Sequence, residues 1–204
     1  MTQPSIDLVT GANGNLGSAV VRHLQDIGHR VAKVERGKLV VGDAALSDID
    51  LGDLASVRRA FGALAGAGFV LRAVVHTVGV FRSSGALVET PDADFAELIQ
   101  INVMTTVHVI QAALALMLPA NSGRIAVVAS GDALLGRANV APYAVSKAAQ
   151  LRVIESVAQE LRGSAVTINA VLPGTMDTPQ NRAAMPDADP TRWVSLNRAK
   201  SGRL

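Results

Sequence analysis

With 204 residues, 49% of them apolar, and a formal charge of +2, the chain suits one domain with its own core, with no length left for a separate substrate domain beside a dinucleotide-binding one. The lack of cysteine excludes disulfides, thiolate–zinc sites and a cysteine nucleophile. His23, His29, His76 and His108 have no metal-ligand spacing, and no basic stripe with interleaved aromatics marks a nucleic-acid partner.

The first residues, Met1 to Asp7, lack the basic and apolar regions of a signal peptide, and a cytoplasmic protein is expected. Short Val-rich runs then alternate with longer amphipathic ones. Strands are predicted at Ile6–Thr10, Arg30–Glu35, Leu71–Thr77, Arg124–Ser130 and Thr167–Leu172. Helices are predicted at Asn15–Ile27, Leu54–Ala67, Asp92–Leu118 and Pro142–Leu161, with Gly28 and Gly163 placed to stop two of them. The alternation is that of a parallel α/β sheet, a doubly wound Rossmann-type fold in a single domain over residues 1–204. Residues 37–47 fit either a strand at Leu39-Val40-Val41 or a loop. The apolar run from Val107 to Leu118 is too short to span a bilayer, so no membrane is expected. After Pro173 the periodicity stops, and residues 174–204 read as a loop-rich flap with room for one short helix and a shortened C-terminal end.

The first strand runs into Gly11-Ala12-Asn13-Gly14-Asn15-Leu16-Gly17 and then a helix. Glycines in such a turn let backbone N–H groups approach a pyrophosphate at the positive end of the helix. About twenty residues on, Glu35 ends the next strand, where an acid takes the adenosine ribose hydroxyls of NAD. Arg36 follows it, where a guanidinium could instead pair with the 2′-phosphate of NADP. Glu35 favours NAD, and both cofactors stay open.

Tyr143, the chain's single tyrosine, precedes Lys147 by four residues on a helix that Pro142 can begin, which stacks both side chains on one face. A phenol needs a nearby cation to exchange its proton near neutrality, and Lys147 is placed to supply it. A tyrosine and a lysine at this spacing are also what any exposed helix could carry. Ser130 strengthens the functional reading, because it follows a strand at the carboxyl edge, where parallel-sheet sites lie.

In order along the chain, Thr10-Gly11 with Gly14 and Gly17, Asp50-Leu51, Asn102, Ser130, Tyr143 with Lys147, and Pro173-Gly174 with Thr178 resemble the short-chain dehydrogenase/reductase family. The resemblance implies an NAD- or NADP-dependent oxidoreductase that moves a hydride between nicotinamide and a carbonyl/alcohol substrate. It implies that Tyr143 is the general acid or base, Ser130 orients the substrate oxygen, Lys147 holds the nicotinamide ribose, and Asn102 holds a water linking the lysine to solvent. It also implies that Asp50 and Leu51 face the adenine and that Thr178 contacts the nicotinamide or phosphate side. Homo-oligomers pairing through helices 92–118 and 142–161 are expected on the same basis.

Three departures stand out. The glycine spacing is Thr-Gly-x-x-Gly-x-x-Gly, similar to the extended branch of the family. His76-Thr77-Val78-Gly79 replaces Asn-Asn-Ala-Gly, with Gly79 keeping a close backbone approach. The segment from Asn169 to Trp193 is similar to quinonoid dihydropteridine reductase, which adds a pterin-type imine as an alternative substrate. A non-catalytic NAD(P)-binding regulator is the remaining alternative.

Overall fold

Strands whose Val, Ile, Leu and Ala side chains point to both sides must be covered on two faces. The computed structural model describes residues 3–35 and 37–196; Arg36, a candidate for NADP recognition, and the basic tail residues Arg198, Lys200 and Arg203 lie outside the described residues. In chain order the first half contains β1 (Ser5–Thr10), α1 (Asn15–Asp26), β2 (Val31–Glu35), β3 (Gly37–Val41), β4 (Ala44–Ile49), α2 (Leu54–Gly66) and β5 (Val70–His76). The second half contains α3 (Asp92–Leu98), α4 (Thr105–Met117), β6 (Gly123–Val128), α5 (Ala141–Glu160), β7 (Val166–Val171), β8 (Met176–Asp177), α6 (Pro179–Ala184) and β9 (Val194–Ser195).

Seven strands form one sheet in the order β4-β3-β2-β1-β5-β6-β7. Its β2-β1-β5-β6-β7 portion is parallel throughout. The strand order reverses between β1 and β5, which opens a crevice at their carboxyl ends. One face carries the large core, in which Leu8, Leu39, Val74, Ile125 and Ile168 meet Phe61 and Leu64 of α2, Val109 and Ala113 of α4, and Ile154 of α5. On the opposite face α1 lays Val21 over Val9 and Val31. The predicted strands and helices agree with these elements to within a residue or two at each end, the usual scatter of frayed termini.

The ambiguous stretch at residues 37–47 is a hairpin. β3 runs antiparallel to β2, and β4 antiparallel to β3. The two-residue turn Gly42-Asp43 joins Val41 to its partner Ala44, and Gly42 has a φ of 56°, the left-handed conformation that tight hairpin turns require and glycine supplies. Asp50 therefore follows a strand separated from β1 by both β3 and β2.

Residues Asp92–Met117 form one continuous helix whose middle turn, Ile99–Met104, widens to π geometry and holds Asn102. By length and hydropathy this helix could cross a membrane, which the shorter run from Val107 did not suggest. Its Val109, Ile110, Ala113 and Met117 are instead buried in the core of the sheet. Beyond Pro173 the loop-rich segment holds the short helix α6, which Thr178 caps by accepting from the Asn181 N–H at 3.1 Å, and adds the two-residue strands β8 and β9, which pair with each other.

A charged cluster sits under α1. Asp7 of β1 is 1% exposed and accepts a two-pronged hydrogen bond from Arg72 of β5, at 2.8 and 2.7 Å. His29 Nδ1 lies 2.9 Å from the same carboxylate. These partners replace the water that a buried carboxylate loses.

Candidate functional site

The turn after β1 is tight because two of its glycines leave no room for a side chain. A Cβ on Gly17 would lie 2.1 Å from the Gly11 carbonyl oxygen, and one on Gly11 would lie 2.8 Å from Thr77 Oγ1. Gly14 caps α1 without a side-chain hydrogen bond, so the first-turn amides, Leu16 among them, have no capping side chain, the arrangement that suits an anion at a helix start. Asn13 donates to the Glu35 carboxylate at 2.5 Å, so two expected cofactor residues meet at the mouth of the loop. Asn15 is hydrogen-bonded to Gln180 of α6, tying the loop to the segment after Pro173.

At the carboxyl edge a cleft of about 410 Å³ is lined by Gly79, Ser130, Tyr143, Lys147, Pro173 and Gly174, among others. Ser130 follows β6, and Tyr143 stands in the first turn of α5, so a strand end and a helix start converge on one point. Lys147, one turn further along, brings its Nζ to 6.0 Å from the centre of the Tyr143 ring. Phe81 packs edge-on against that ring at 4.9 Å. A Cβ on Gly79 would sit 3.0 Å from Lys147 Nζ and 3.2 Å from Asn102 Oδ1, so glycine lets the β5 loop pass close to both without displacing either side chain.

Asn102 clamps that loop. Its amide accepts from the Val80 N–H at 2.8 Å, donates to the Val80 carbonyl at 3.0 Å, and donates to Ser146 Oγ at 2.9 Å. The widened turn of its helix aims the side chain at the loop, as such bulges often do at functional sites. Its main-chain carbonyl accepts from the Thr106 hydroxyl at 2.8 Å.

Burial pushes the Tyr143 phenol above its ordinary value and Asp132 adds to the rise, whereas the Ser130 hydroxyl and Arg137 oppose it. Burial lowers the Lys147 ammonium to about 8. Ser130 Oγ donates to the Asp132 carboxylate at 3.3 Å, and Asp132 is also paired with Arg137. His76, enclosed between Thr10 at 2.7 Å and Thr105 at 3.4 Å, is driven to about 3 by burial and by the Lys147 charge. It is neutral in the fold.

The structure thus brings Asn102, Ser130, Tyr143, Lys147, Gly79, Pro173 and Gly174 together, and groups Gly11, Asn13, Gly14, Asn15, Leu16, Gly17 and Glu35 at the adjoining loop. Asp50 and Leu51 sit in the loop after β4, where Asp50 accepts from the Gly52 N–H at 2.8 Å and His108 bonds the Leu51 carbonyl at 3.0 Å. Sequence reasoning missed Gln150, Thr106, Ser146 and the Asp132–Arg137 pair. Only Gln150 carried a signal, as a polar residue one turn beyond Lys147 on the same helix face.

A family model described as short chain dehydrogenase matches residues 6–189. Over 176 residues the chain is 31% identical to the 3-oxoacyl-[acyl-carrier-protein] reductase MabA of Mycobacterium avium, covering 86% of this chain and 69% of that protein. It is 26% identical to the 3-oxoacyl-[acyl-carrier-protein] reductase FabG of Escherichia coli, with 98% and 83% covered. A crystal structure of a short chain dehydrogenase from Burkholderia cenocepacia in complex with NADP superposes with a TM-score of 0.82 at 25% identity, covering 98% of this chain and 83% of that one.

Proposed function

Since the chain belongs to the short chain dehydrogenase family and is an oxidoreductase, we propose that it is an NAD(P)-dependent reductase of a ketone, with 3-oxoacyl thioesters as the first substrate class to test. One observation carries the reading: a buried phenol, a buried ammonium and a hydroxyl meet in one cleft beside a glycine loop with uncapped helix amides. The relatives' shared name as reductases of 3-oxoacyl groups favours a ketone over an imine.

The residues present fit a dinucleotide. Gly11, Gly14 and Gly17 provide the close backbone a pyrophosphate needs, with Asn13, Asn15 and Leu16 around it. Glu35 would take the adenosine ribose and, as a carboxylate, favours NAD over the 2′-phosphate of NADP. Asp50 and Leu51 would face the adenine, and Gly79, Pro173, Gly174 and Thr178 the nicotinamide end. When bound, the nicotinamide supplies the hydride.

The chain's own residues then manage the proton. Tyr143, kept protonated by burial, donates to the carbonyl oxygen as the hydride arrives. Ser130 turns its hydroxyl from Asp132 toward the same oxygen, offering a second donor where negative charge develops. Lys147 stabilises the phenolate left behind, and Asn102 fixes the loop that shapes the cleft.

The test is oxidation of NADH and NADPH by the purified chain in the presence of acetoacetyl-CoA, followed by Tyr143→Phe. The variant retains the packing against Phe81 and the cofactor affinity and loses turnover by about 10²–10⁴-fold. Full turnover by Tyr143→Phe would overturn the reading, and binding of either cofactor without turnover of any carbonyl would make the chain a cofactor-binding regulator.

A further inference from the structure

Behind Tyr143 lies a run of buried side chains that the proposed proton transfer does not itself use. Lys147 Nζ donates to Gln150 Oε1 at 3.0 Å and to the Val128 carbonyl at 3.3 Å. Gln150 Nε2 donates to Thr106 Oγ1 at 2.7 Å, and Thr106 Oγ1 donates to the Asn102 carbonyl at 2.8 Å. Gln150 is 0% exposed and Thr106 1%.

The direction of every bond in this run is fixed from one end. A main-chain carbonyl can only accept, so the Thr106 hydroxyl must donate to it. The threonine oxygen is then left to accept, which turns the NH₂ end of Gln150 toward it and the amide oxygen toward Lys147. An apolar residue of similar volume would fill the space without needing any partner. What the glutamine adds is an oriented acceptor for an ammonium that burial disfavours.

We infer that Gln150 is a positioning residue: its amide oxygen, oriented by Thr106 and the carbonyl of the widened turn, holds the Lys147 ammonium charged beneath Tyr143. The inference rests on the proposed use of Tyr143 and Lys147. The other groups around the ammonium are the Tyr143 phenol on its own helix, the neutral His76 from β5, the Asn102 amide from the widened turn, and the Val128 carbonyl from β6. Asp132 and Arg137 bear on Tyr143. Among the described residues no carboxylate bonds Lys147, so the glutamine is its principal side-chain acceptor.

The experiment is a pH titration of the Lys147 Cε signal by NMR in the full chain carrying ¹³C-lysine, without substrate, in wild type, Gln150→Leu, Gln150→Glu and Thr106→Val. In Gln150→Leu the midpoint falls by about one pH unit, and in Gln150→Glu, which sets a carboxylate against the ammonium, it rises by a similar amount. Thr106→Val frees the amide to rotate and moves the midpoint the same way as Gln150→Leu, but less. Equal midpoints in all folded variants would overturn the inference, whereas a role in packing alone would lower stability without opposite shifts. Kinetics separate the two claims: with acetoacetyl-CoA and whichever of NADH and NADPH the wild type oxidises, the alkaline limb of kcat/KM follows the NMR midpoint. Turnover by Tyr143→Phe would sink the proposed function while leaving the titration result intact.

Discussion

Lys147 carries its charge into the core, and replacing it with methionine exposes what that costs the fold. Methionine keeps the length and the apolar stem and removes the ammonium. Burial lowers the lysine from its ordinary 10.5 to about 8. At about 1.4 kcal/mol per pH unit, the charged form costs the folded chain roughly 3 kcal/mol near neutrality. The substitution leaves Gln150 Oε1 and the Val128 carbonyl without their donor, a loss of roughly 1–2 kcal/mol. Lys147→Met is therefore expected to be more stable than wild type by about 1–2 kcal/mol at neutral pH while losing turnover. The sign with pH is a sharper test. The folded pKa lies below the unfolded one, so between about pH 8 and 10.5 the unfolded chain keeps a proton that the folded chain has released. Stability of the wild type rises relative to the variant across that window, and the variant's advantage disappears. Urea unfolding of both proteins at several pH values, at constant ionic strength, measures the difference. A difference that stays constant across the window would refute the reasoning, because it would mean the lysine titrates alike in folded and unfolded chains.

Other substitutions test the surroundings. Asn102→Ala removes three hydrogen bonds around Val80 and Ser146; at about 2 kcal/mol net, because half-exposed Val80 can turn to water, the melting temperature falls by about 4–8 °C in calorimetry. Gly17→Ala drives a methyl into the Gly11 carbonyl, and fluorescence titration of the reduced nicotinamide that the wild type prefers is expected to lose about 5- to 150-fold in affinity, corresponding to roughly 1–3 kcal/mol of strain. His76 has a folded pKa of about 3, below its ordinary 6.5, so the unfolded chain binds the extra proton and stability falls as pH drops through that window, by up to about 1.4 kcal/mol per pH unit. His76→Asn flattens that acid slope in urea midpoints compared over the same range.

The parallel sheet and its helices were legible because their signals are periodic and local: apolar runs at Leu71–Thr77 and Thr167–Leu172, a proline to start α5, and glycines at 28 and 163 to end two helices. The convergence of Ser130, Tyr143 and Lys147 was legible for the same reason, since a strand end and an i,i+4 pair are fixed by local geometry. The hairpin at residues 37–49 was open to two readings although Gly42-Asp43 is a hairpin turn signal, because the flanking runs are short and β4 is mostly exposed, without clean alternation. The Asn102 clamp and the partners of Gln150 could not be read, although Gln150 itself lies one turn beyond Lys147 on the same helix face. They depend on which residues far apart in sequence face each other across the core, and on a widened turn that no residue in Ile99–Met104 announces. The Asp7–Arg72 pair was hidden likewise: 65 residues separate its members, and neighbouring strands alone bring them together.

The meander of β2, β3 and β4 gives one border of the sheet a different folding history from the rest. Every pairing among β1, β5, β6 and β7 closes a long stretch of chain before any ladder bond rewards it. β3 and β4, by contrast, meet across two residues, a closure that takes microseconds when the turn is pre-shaped. Although Leu39 joins the large core, that border is expected to open ahead of the crossover strands, which stand or fall with the whole core. Backbone amides of Lys38 to Leu46 would accordingly exchange with deuterium well ahead of those in Ile125 to Val127, and the adenosine side of the cleft would soften before the catalytic side does.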